Sequence, residues 1–287
     1  MVVTLTHHVR ISDIVAEAGT LLSLPDICLQ LKHLVDSDES SANDIADLIG
    51  KDPALTARLL KIVNSSLYSF PRQISSVSQA ITLIGTQSLY KLSLGTAAAS
   101  IIRAAGGSSL EMKTLWKRAV YTGILAQCIV HHHRLQSDTA FISGLLCDIG
   151  VLAIIRSHPE IAMSAVGYKM KNQYPWQREK EVLGYSLAKV SGALLDEWNL
   201  PAEIIEPIRF QHEPILAMGY QQDCCVLHMA TRLASDVLQD ELQDGLDYRA
   251  TIEYDACQVL ALEPEDIDVI IEWTRDIAPE MLQILTF

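Results

Sequence analysis

The stretch AFISGLLCDIG, residues 140–150, places Cys147 and Asp148 in the middle of an apolar run. Apolar residues recur at helical spacing on both sides, which predicts a helix over residues 139–155. The neighbouring residues Gly144 and Ile149 are apolar, so the side chains of Cys147 and Asp148 are predicted to be buried. A buried carboxylate at Asp148 would have to be paired or hydrogen-bonded.

Helical periodicity extends through the rest of the chain, and no stretch alternates in the way that is typical of a strand. The pattern Ser41-x-x-Asp44 predicts a capping box. Asp52 followed by Pro53 predicts an N-cap and a proline at the first helical position. The predicted fold class is therefore all-α.

The clearest break in the helical pattern is the glycine- and serine-rich segment at residues 106–109. We predict an N-terminal helical lobe over residues 1–105, a second helical lobe over 106–232 and acidic C-terminal helices over 233–287 that complete the bundle. Helices in the last two parts are predicted near residues 110–133, 159–171, 176–184, 187–199, 221–239, 256–262 and 264–285, with an Asp-rich stretch at 240–250.

The charge is concentrated at the C-terminal end. The 287-residue chain has a net charge of −13, and residues 221–287 contain 15 Asp or Glu against 3 Arg and no Lys, a balance of −12. Nucleic acid requires a basic footprint, so this part of the chain is not expected to bind it. An acidic surface either meets a basic partner or keeps the protein in solution.

The composition is that of a globular protein, with 49% hydrophobic and 20% charged residues. No long apolar run without charged or polar breaks indicates a transmembrane helix, and the N-terminus has too short an apolar run for a signal peptide. We therefore expect a cytoplasmic protein without membrane contact. The six cysteines show no CxxC pair and are expected to be reduced and buried.

A second set of motifs identifies a family. It comprises DPALT at residues 52–56, LLKIVNS at 59–65, ISSV at 74–77 and AI with LIG at 80–85. Together with residues 140–150, these motifs resemble the HDOD family, bacterial signalling domains related to the HD phosphohydrolases. The resemblance runs from about Leu24 to about Arg232. It implies an HD-like helical bundle packed on an N-terminal helical lobe.

The resemblance also implies a degenerate metal site. HD phosphohydrolases hold metal through His and Asp side chains, and the metal activates a water molecule. The residues at the corresponding positions of this chain form a vestigial HD pocket: Arg118, Cys147, Asp148, Leu187, Gln211, His212 and Thr231. Of these, Asp148 and His212 can ligate at the family's positions, which is too few for a catalytic centre. We predict no catalytic residue, no metal and no cofactor.

The most specific prediction concerns Arg118, which stands at the first ligand position, two residues after Trp116. A guanidinium cannot coordinate a metal, but it can satisfy a buried carboxylate. We predict that Arg118 lies within ion-pair reach of Asp148. Lys117 would take its place if the alignment slipped by one residue.

Other polar residues are expected to have ordinary structural roles. Adjacent helical residues point about 100° apart, so the three histidines at 131–133 are predicted to form a polar helix end rather than an ion site. His228 is expected to be a satisfied core histidine. Glu179 and Glu181 are expected to be solvated or capping residues. Cys147 has no histidine placed to act as its base, so it is not expected to be a nucleophile.

Three functions remain open at this point. The favoured one is a non-catalytic signal-transduction or scaffold protein, a pseudoenzyme that binds a separate signalling protein. The second is a binding module whose vestigial pocket holds a phosphorylated metabolite or a nucleotide on Arg118. The third is a residual metal-dependent phosphohydrolase, in which turnover would be lost on Asp148→Ala.

Overall fold

The computed structural model describes residues 9–22, 25–106, 110–166, 175–240 and 254–286, and the regular structure there is helical throughout. This confirms the all-α prediction. The helices in chain order are α1 Ile11–Leu21, α2 Asp26–Val35, α3 Ala42–Gly50, α4 Pro53–Val63, α5 Val77–Gly106, α6 Leu110–His132, α7 Ala140–Leu146, α8 Ile149–Ser157, α9 Pro159–Val166, α10 Pro175–Leu183, α11 Leu187–Glu197, α12 Ala202–Phe210, α13 Gln221–Asp240, α14 Tyr254–Leu260 and α15 Pro264–Thr286, with a 3-10 turn at Pro214–Leu216.

Both predicted helix starts in the N-terminal part are present. The Ser41 hydroxyl accepts a hydrogen bond from the Asp44 N–H, and the Asp44 carboxylate accepts one from the Ser41 N–H at 2.7 Å. The Asp52 carboxylate accepts from the N–H groups of Ala54 and Leu55 at the start of α4. These bonds satisfy N–H groups that the first helical turn leaves unpaired, which is why the motifs could be read from sequence.

Two elements differ from the sequence prediction. Helix α1 was not predicted, and it packs against α8 and α11. The single helix predicted over residues 139–155 is two helices, since α7 ends at Leu146 and α8 begins at Ile149. The Cys147 carbonyl between them accepts hydrogen bonds from other elements, which compensates for the interrupted helical ladder. The break was predicted at residues 106–109 and the Asp-rich stretch at 240–250; Gly106 is the last residue of α5 and Asp240 the last residue of α13, and the other residues of both segments lie outside the described residues.

Helix α6 lies at the centre of the molecule and packs against α7, α13 and α15. Its residues Val120, Ile124, Leu125 and Ile129 are completely buried. The buried apolar side chains form one continuous core that includes residues from α1 to α15, as expected for lobes that share a core. The exact lobe boundaries stay a prediction.

One stretch of the described residues, Ala140–Ser157, is long and apolar enough to cross a membrane by length and composition. It comprises α7 and α8, and 83% of it is buried inside the protein. Its apolar character is therefore accounted for by the core, because a buried helix is hydrophobic all round.

The crossing of α6 and α7 brings two backbones into direct contact. A Cβ atom added at Gly144 would lie 2.4 Å from the Gly123 Cα and 2.7 Å from the Thr122 carbonyl carbon. Only a residue without a side chain fits between these helices. This close approach places the α7–α8 junction, with Asp148, against α6.

We expect Gly144→Ala to lower the free energy of unfolding by about 2 kcal/mol, because the new methyl group overlaps backbone atoms that cannot move independently. The measurement is chemical denaturation followed by tryptophan fluorescence. Gly50→Ala is the matched control, since a Cβ there would meet nothing within 4 Å. That control should be neutral or slightly stabilising. Equal effects of the two substitutions would contradict the close packing of α6 and α7.

Candidate functional site

The residues of the predicted vestigial pocket come from five parts of the fold. Arg118 is on α6, Cys147 and Asp148 form the α7–α8 junction, and Leu187 is the first residue of α11. Gln211 and His212 directly follow α12, and Thr231 is on α13. All except Arg118 and His212 are buried.

The predicted ion pair between Arg118 and Asp148 is confirmed. The Arg118 Nη1 atom donates to Asp148 Oδ2 at 2.8 Å, and the two side chains are 23% and 10% exposed. Burial acts to lower the pKa of Arg118, but nearby negative charge, above all that of Asp148, outweighs it and raises the pKa above its ordinary value. The alternative partner Lys117 lies with its Nζ atom 5.4 Å from the centre of the Tyr121 ring. A permanent cation therefore neutralises the buried carboxylate.

Cys147 contributes its backbone rather than its thiol. Its carbonyl oxygen accepts hydrogen bonds from the Gln211 amide and the Ser191 hydroxyl, both at 3.0 Å. Burial raises the pKa of the Cys147 thiol well above its ordinary value. The thiol is thus kept in its unreactive form, and Gln211 joins α12 to the α7–α8 junction.

Glu179 on α10 is a member of this site that the sequence analysis placed outside it. Its side chain is buried and its Oε2 atom accepts a hydrogen bond from the Leu187 N–H at 2.6 Å. Of the two roles expected for Glu179, solvated or capping, the structure shows the capping role. Burial raises the pKa of Glu179 to about 7, and the negative charge of Asp148 acts in the same direction. Leu187 therefore contributes a backbone donor to this site and no side-chain ligand.

Aromatic and basic side chains surround His212. Its ring stacks on Trp176 with centroids 4.5 Å apart, and the Arg232 guanidinium lies 5.4 Å from the centre of the Trp176 ring. Burial lowers the pKa of His212 well below its ordinary value, and the charges of Arg118, His228, Lys180 and Arg232 lower it further. His212 is consequently a neutral ring in a locally positive environment.

His228 and Thr231 are occupied by structural hydrogen bonds. The His228 Nδ1 atom lies 2.7 Å from the Gln211 carbonyl oxygen, in agreement with the expected core histidine. The Thr231 hydroxyl donates to the His228 carbonyl oxygen at 2.9 Å, within its own helix. Neither side chain is directed to a shared ligand by these bonds.

The side chains of the vestigial pocket do not fit the metal centre of an HD phosphohydrolase. Asp148 accepts a hydrogen bond from the Arg118 guanidinium, and Leu187 has no side-chain atom that can bind a metal. The Gln211 amide nitrogen donates to two backbone carbonyl oxygens, those of Cys147 and Ile208. A catalytic centre needs several imidazole or carboxylate ligands at one point. In the part of the chain that the structure describes, Asp148 belongs to no group of three His, Cys, Asp or Glu ligand atoms mutually within 4.8 Å.

The histidine triplet at residues 131–133 lies at the end of α6, as expected, but two of its members converge on one carboxylate, which was not expected. Helix α6 ends at His132, and the His133 N–H still donates to the Ile129 carbonyl oxygen at 3.1 Å. His132 and His133 both approach Asp266 at the start of α15, whereas His131 is exposed and its ring lies 5.8 Å from that of Trp273. The triplet is therefore a polar helix end of which two members converge.

Comparison with known proteins gives a family and a fold. The sequence pattern of the HDOD domain matches residues 21–214. An uncharacterised protein of Treponema pallidum (strain Nichols) is 27% identical over 192 residues, which are 66% of this chain and 37% of the relative. The chain therefore corresponds to little more than a third of that curated relative's length.

Two solved structures share the fold. One is a proposed phosphohydrolase from Shewanella amazonensis SB2B, with a TM-score of 0.72, 22% identity and coverage of 96% of this chain and 98% of the other. The second is a proposed signal transduction protein from Marinobacter aquaeolei VT8, with a TM-score of 0.65, 20% identity and coverage of 98% and 62%.

Proposed function

The chain belongs to the HDOD domain family, and on that premise we propose that it is a signal-transduction protein that acts through protein–protein contacts without catalysis. Its pocket around Asp148 is then a structural remnant of a hydrolase site. Its partner is a separate signalling protein, and it acts in the cytoplasm. The fold shared with a protein named for signal transduction supports the class of this proposal.

The observation that carries the proposal is the 2.8 Å ion pair between Arg118 and Asp148. A metal bound to Asp148 would have to displace a guanidinium that is always charged and held in place by the same carboxylate. The remaining metal-competent residue of the pocket, His212, lies among cations that oppose the approach of another positive ion. Both features favour a protein in which this pocket performs no metal-dependent step.

The test is hydrolysis of bis-p-nitrophenyl phosphate by tag-free protein supplied with Mn²⁺, compared with Asp148→Asn. We expect both proteins to show the same background rate, because the carboxylate has no metal to hold. Turnover that is present in the wild type and lost in Asp148→Asn would overturn the proposal in favour of a phosphohydrolase.

Partner binding requires its own measurement. A protein that co-purifies from the native host should be identified, produced separately and titrated into the purified chain. We expect a defined stoichiometry that Asp148→Asn leaves unchanged. If no purified candidate binds the intact chain, the proposed role in protein contacts fails even where the hydrolysis test is negative.

A phosphate-binding role is the second candidate, favoured by the positive environment of His212. The Nε atom of Arg118 is buried and has no hydrogen-bond partner among the described residues, and guanidinium groups suit phosphate. Nucleotides should then raise the melting temperature of the wild type but not of Arg118→Lys, which keeps the charge and loses the planar fork. An equal shift in both proteins would exclude recognition by Arg118.

A further inference from the structure

A second cluster of metal-competent side chains lies away from the vestigial pocket, where the end of α6 meets the start of α15. It consists of His132, His133 and Asp266, and we call it the α6–α15 cluster. The His132 Nε2 atom lies 2.9 Å from Asp266 Oδ1, and the His133 Nε2 atom lies 3.5 Å from Asp266 Oδ2. One ligand atom from each residue lies within 4.8 Å of the other two.

His133 is the unusual member. Its side chain is 16% exposed, and its Nε2 atom is buried without a hydrogen-bond partner among the described residues. The 3.5 Å separation from Asp266 does not give a hydrogen bond. A buried polar nitrogen that is left unsatisfied costs free energy, so a group that accepts its lone pair would stabilise this arrangement.

Asp266 has one oxygen available for such a group. Its Oδ2 atom accepts a hydrogen bond from the Glu263 N–H at 2.8 Å and thereby caps α15. Its Oδ1 atom contacts only the His132 ring among the hydrogen bonds that the structure describes. A cation placed between Oδ1 and the imidazoles would replace that contact and leave the helix cap intact.

We propose that His132, His133 and Asp266 form a binding site for a divalent transition metal of the zinc type. Two imidazole nitrogens and one carboxylate oxygen are typical of zinc, and water would complete a tetrahedral set. The site would tie the end of α6 to the start of α15, the C-terminal helix that packs on α6 and α4. It would be a clamp on that helix, separate from the pocket around Asp148.

The competing explanation is a simple contact between the His132 ring and Asp266 without metal, with His133 nearby by chance. It also accounts for the 2.9 Å contact. It predicts that no metal binds and that His133 can be replaced without consequence for metal. The two explanations therefore differ in a direct binding measurement.

The experiment is a titration of tag-free, reduced protein with Zn²⁺ by calorimetry and with Co²⁺ by absorbance. We expect one equivalent of metal, a Co²⁺ spectrum of tetrahedral type without a thiolate band, and a higher melting temperature with Zn²⁺. His133→Gln and Asp266→Asn should each weaken binding by more than about tenfold. Two separate ligand variants keep the test valid if one of them fails to fold.

Two controls separate this site from its neighbours. His131→Gln removes the third histidine of the triplet, and the double variant Arg118→Met with Asp148→Asn removes both charges of the ion pair in the vestigial pocket. Both should bind Zn²⁺ as the wild type does. Absence of binding in the wild type, unchanged binding in His133→Gln, or loss of binding in either control would overturn the proposal.

Discussion

Replacing Arg118 with methionine is expected to lower the free energy of unfolding by about 4 kcal/mol, because it leaves Asp148 as an unpaired buried charge. The carboxylate is 10% exposed and its ion pair with Arg118 is 2.8 Å long. Methionine keeps much of the side-chain volume, so the loss reports on charge more than on packing. The measurement is urea denaturation of wild type and variant at the same pH.

Two further variants test whether the loss of stability is specific to the buried ion pair. Arg178→Met breaks an ion pair with Glu181, whose side chain is 50% exposed, and should cost no more than about 1 kcal/mol. The double variant Arg118→Met with Asp148→Asn removes both charges and should recover much of the stability lost in the single variant. If Arg118→Met costs no more than Arg178→Met, the ion pair does not hold the pocket together.

Features that depend on nearby residues could be predicted from the sequence. The capping box at Ser41 and the N-cap at Asp52 involve partners two or three residues away, so the sequence pattern contains the whole interaction. Gly85 interrupts α5 with a φ of 83°, a local conformation that favours glycine. These predictions needed no knowledge of tertiary packing.

Features that depend on residues far apart in the sequence were harder to predict. The ion pair of Arg118 with Asp148 could be predicted only because the family motif related two positions thirty residues apart. The break between α7 and α8 depends on hydrogen bonds from Ser191 and Gln211, which no local pattern indicates. Convergence of His132 and His133 depends on Asp266, which is 134 residues from His132.

Glu179 is a further residue whose environment could not be predicted from its neighbours in the sequence. Its neighbours in the sequence are charged or polar, as on a solvated helix face, so the sequence left a solvated and a capping role open for Glu179. In the fold its helix lies over the start of α11, where the Leu187 N–H needs an acceptor. Tertiary packing therefore decided its environment and, with it, its pKa.

We expect Glu179→Gln to be more stable than the wild type at pH 8 by about 3 kcal/mol and equally stable at pH 4. The pKa of Glu179 is raised from its ordinary value of 4.5 to about 7 in the folded protein, mainly by burial. Between these two values the folded protein holds a proton that the unfolded chain has released. The contribution of Glu179 to the free energy of unfolding therefore falls as the pH rises from about 4.5 to about 7. Above that range the loss of stability caused by the buried charge is constant.

Glutamine is neutral at every pH and keeps a carbonyl oxygen for the Leu187 N–H. The difference in free energy of unfolding between variant and wild type, measured from pH 4 to pH 8, cancels the titration of other carboxylates that the substitution does not affect. Glu181→Gln is the control, because that side chain is 50% exposed and should give no such pH-dependent difference. A flat difference for Glu179→Gln would mean that Glu179 ionises at its ordinary pKa.

The expected effects of Arg118→Met and Glu179→Gln on stability are coupled, because Arg118 acts on both buried carboxylates. Its positive charge acts to lower the pKa of Glu179, against the burial that raises it. In Arg118→Met, the pH range over which stability falls should therefore extend above pH 7, and Glu179→Gln in that background should restore more stability than it does in the wild type. A double-mutant cycle at pH 8 measures this interaction. Additive effects would show that Arg118 serves Asp148 alone, and a favourable coupling would show that one guanidinium supports both buried carboxylates.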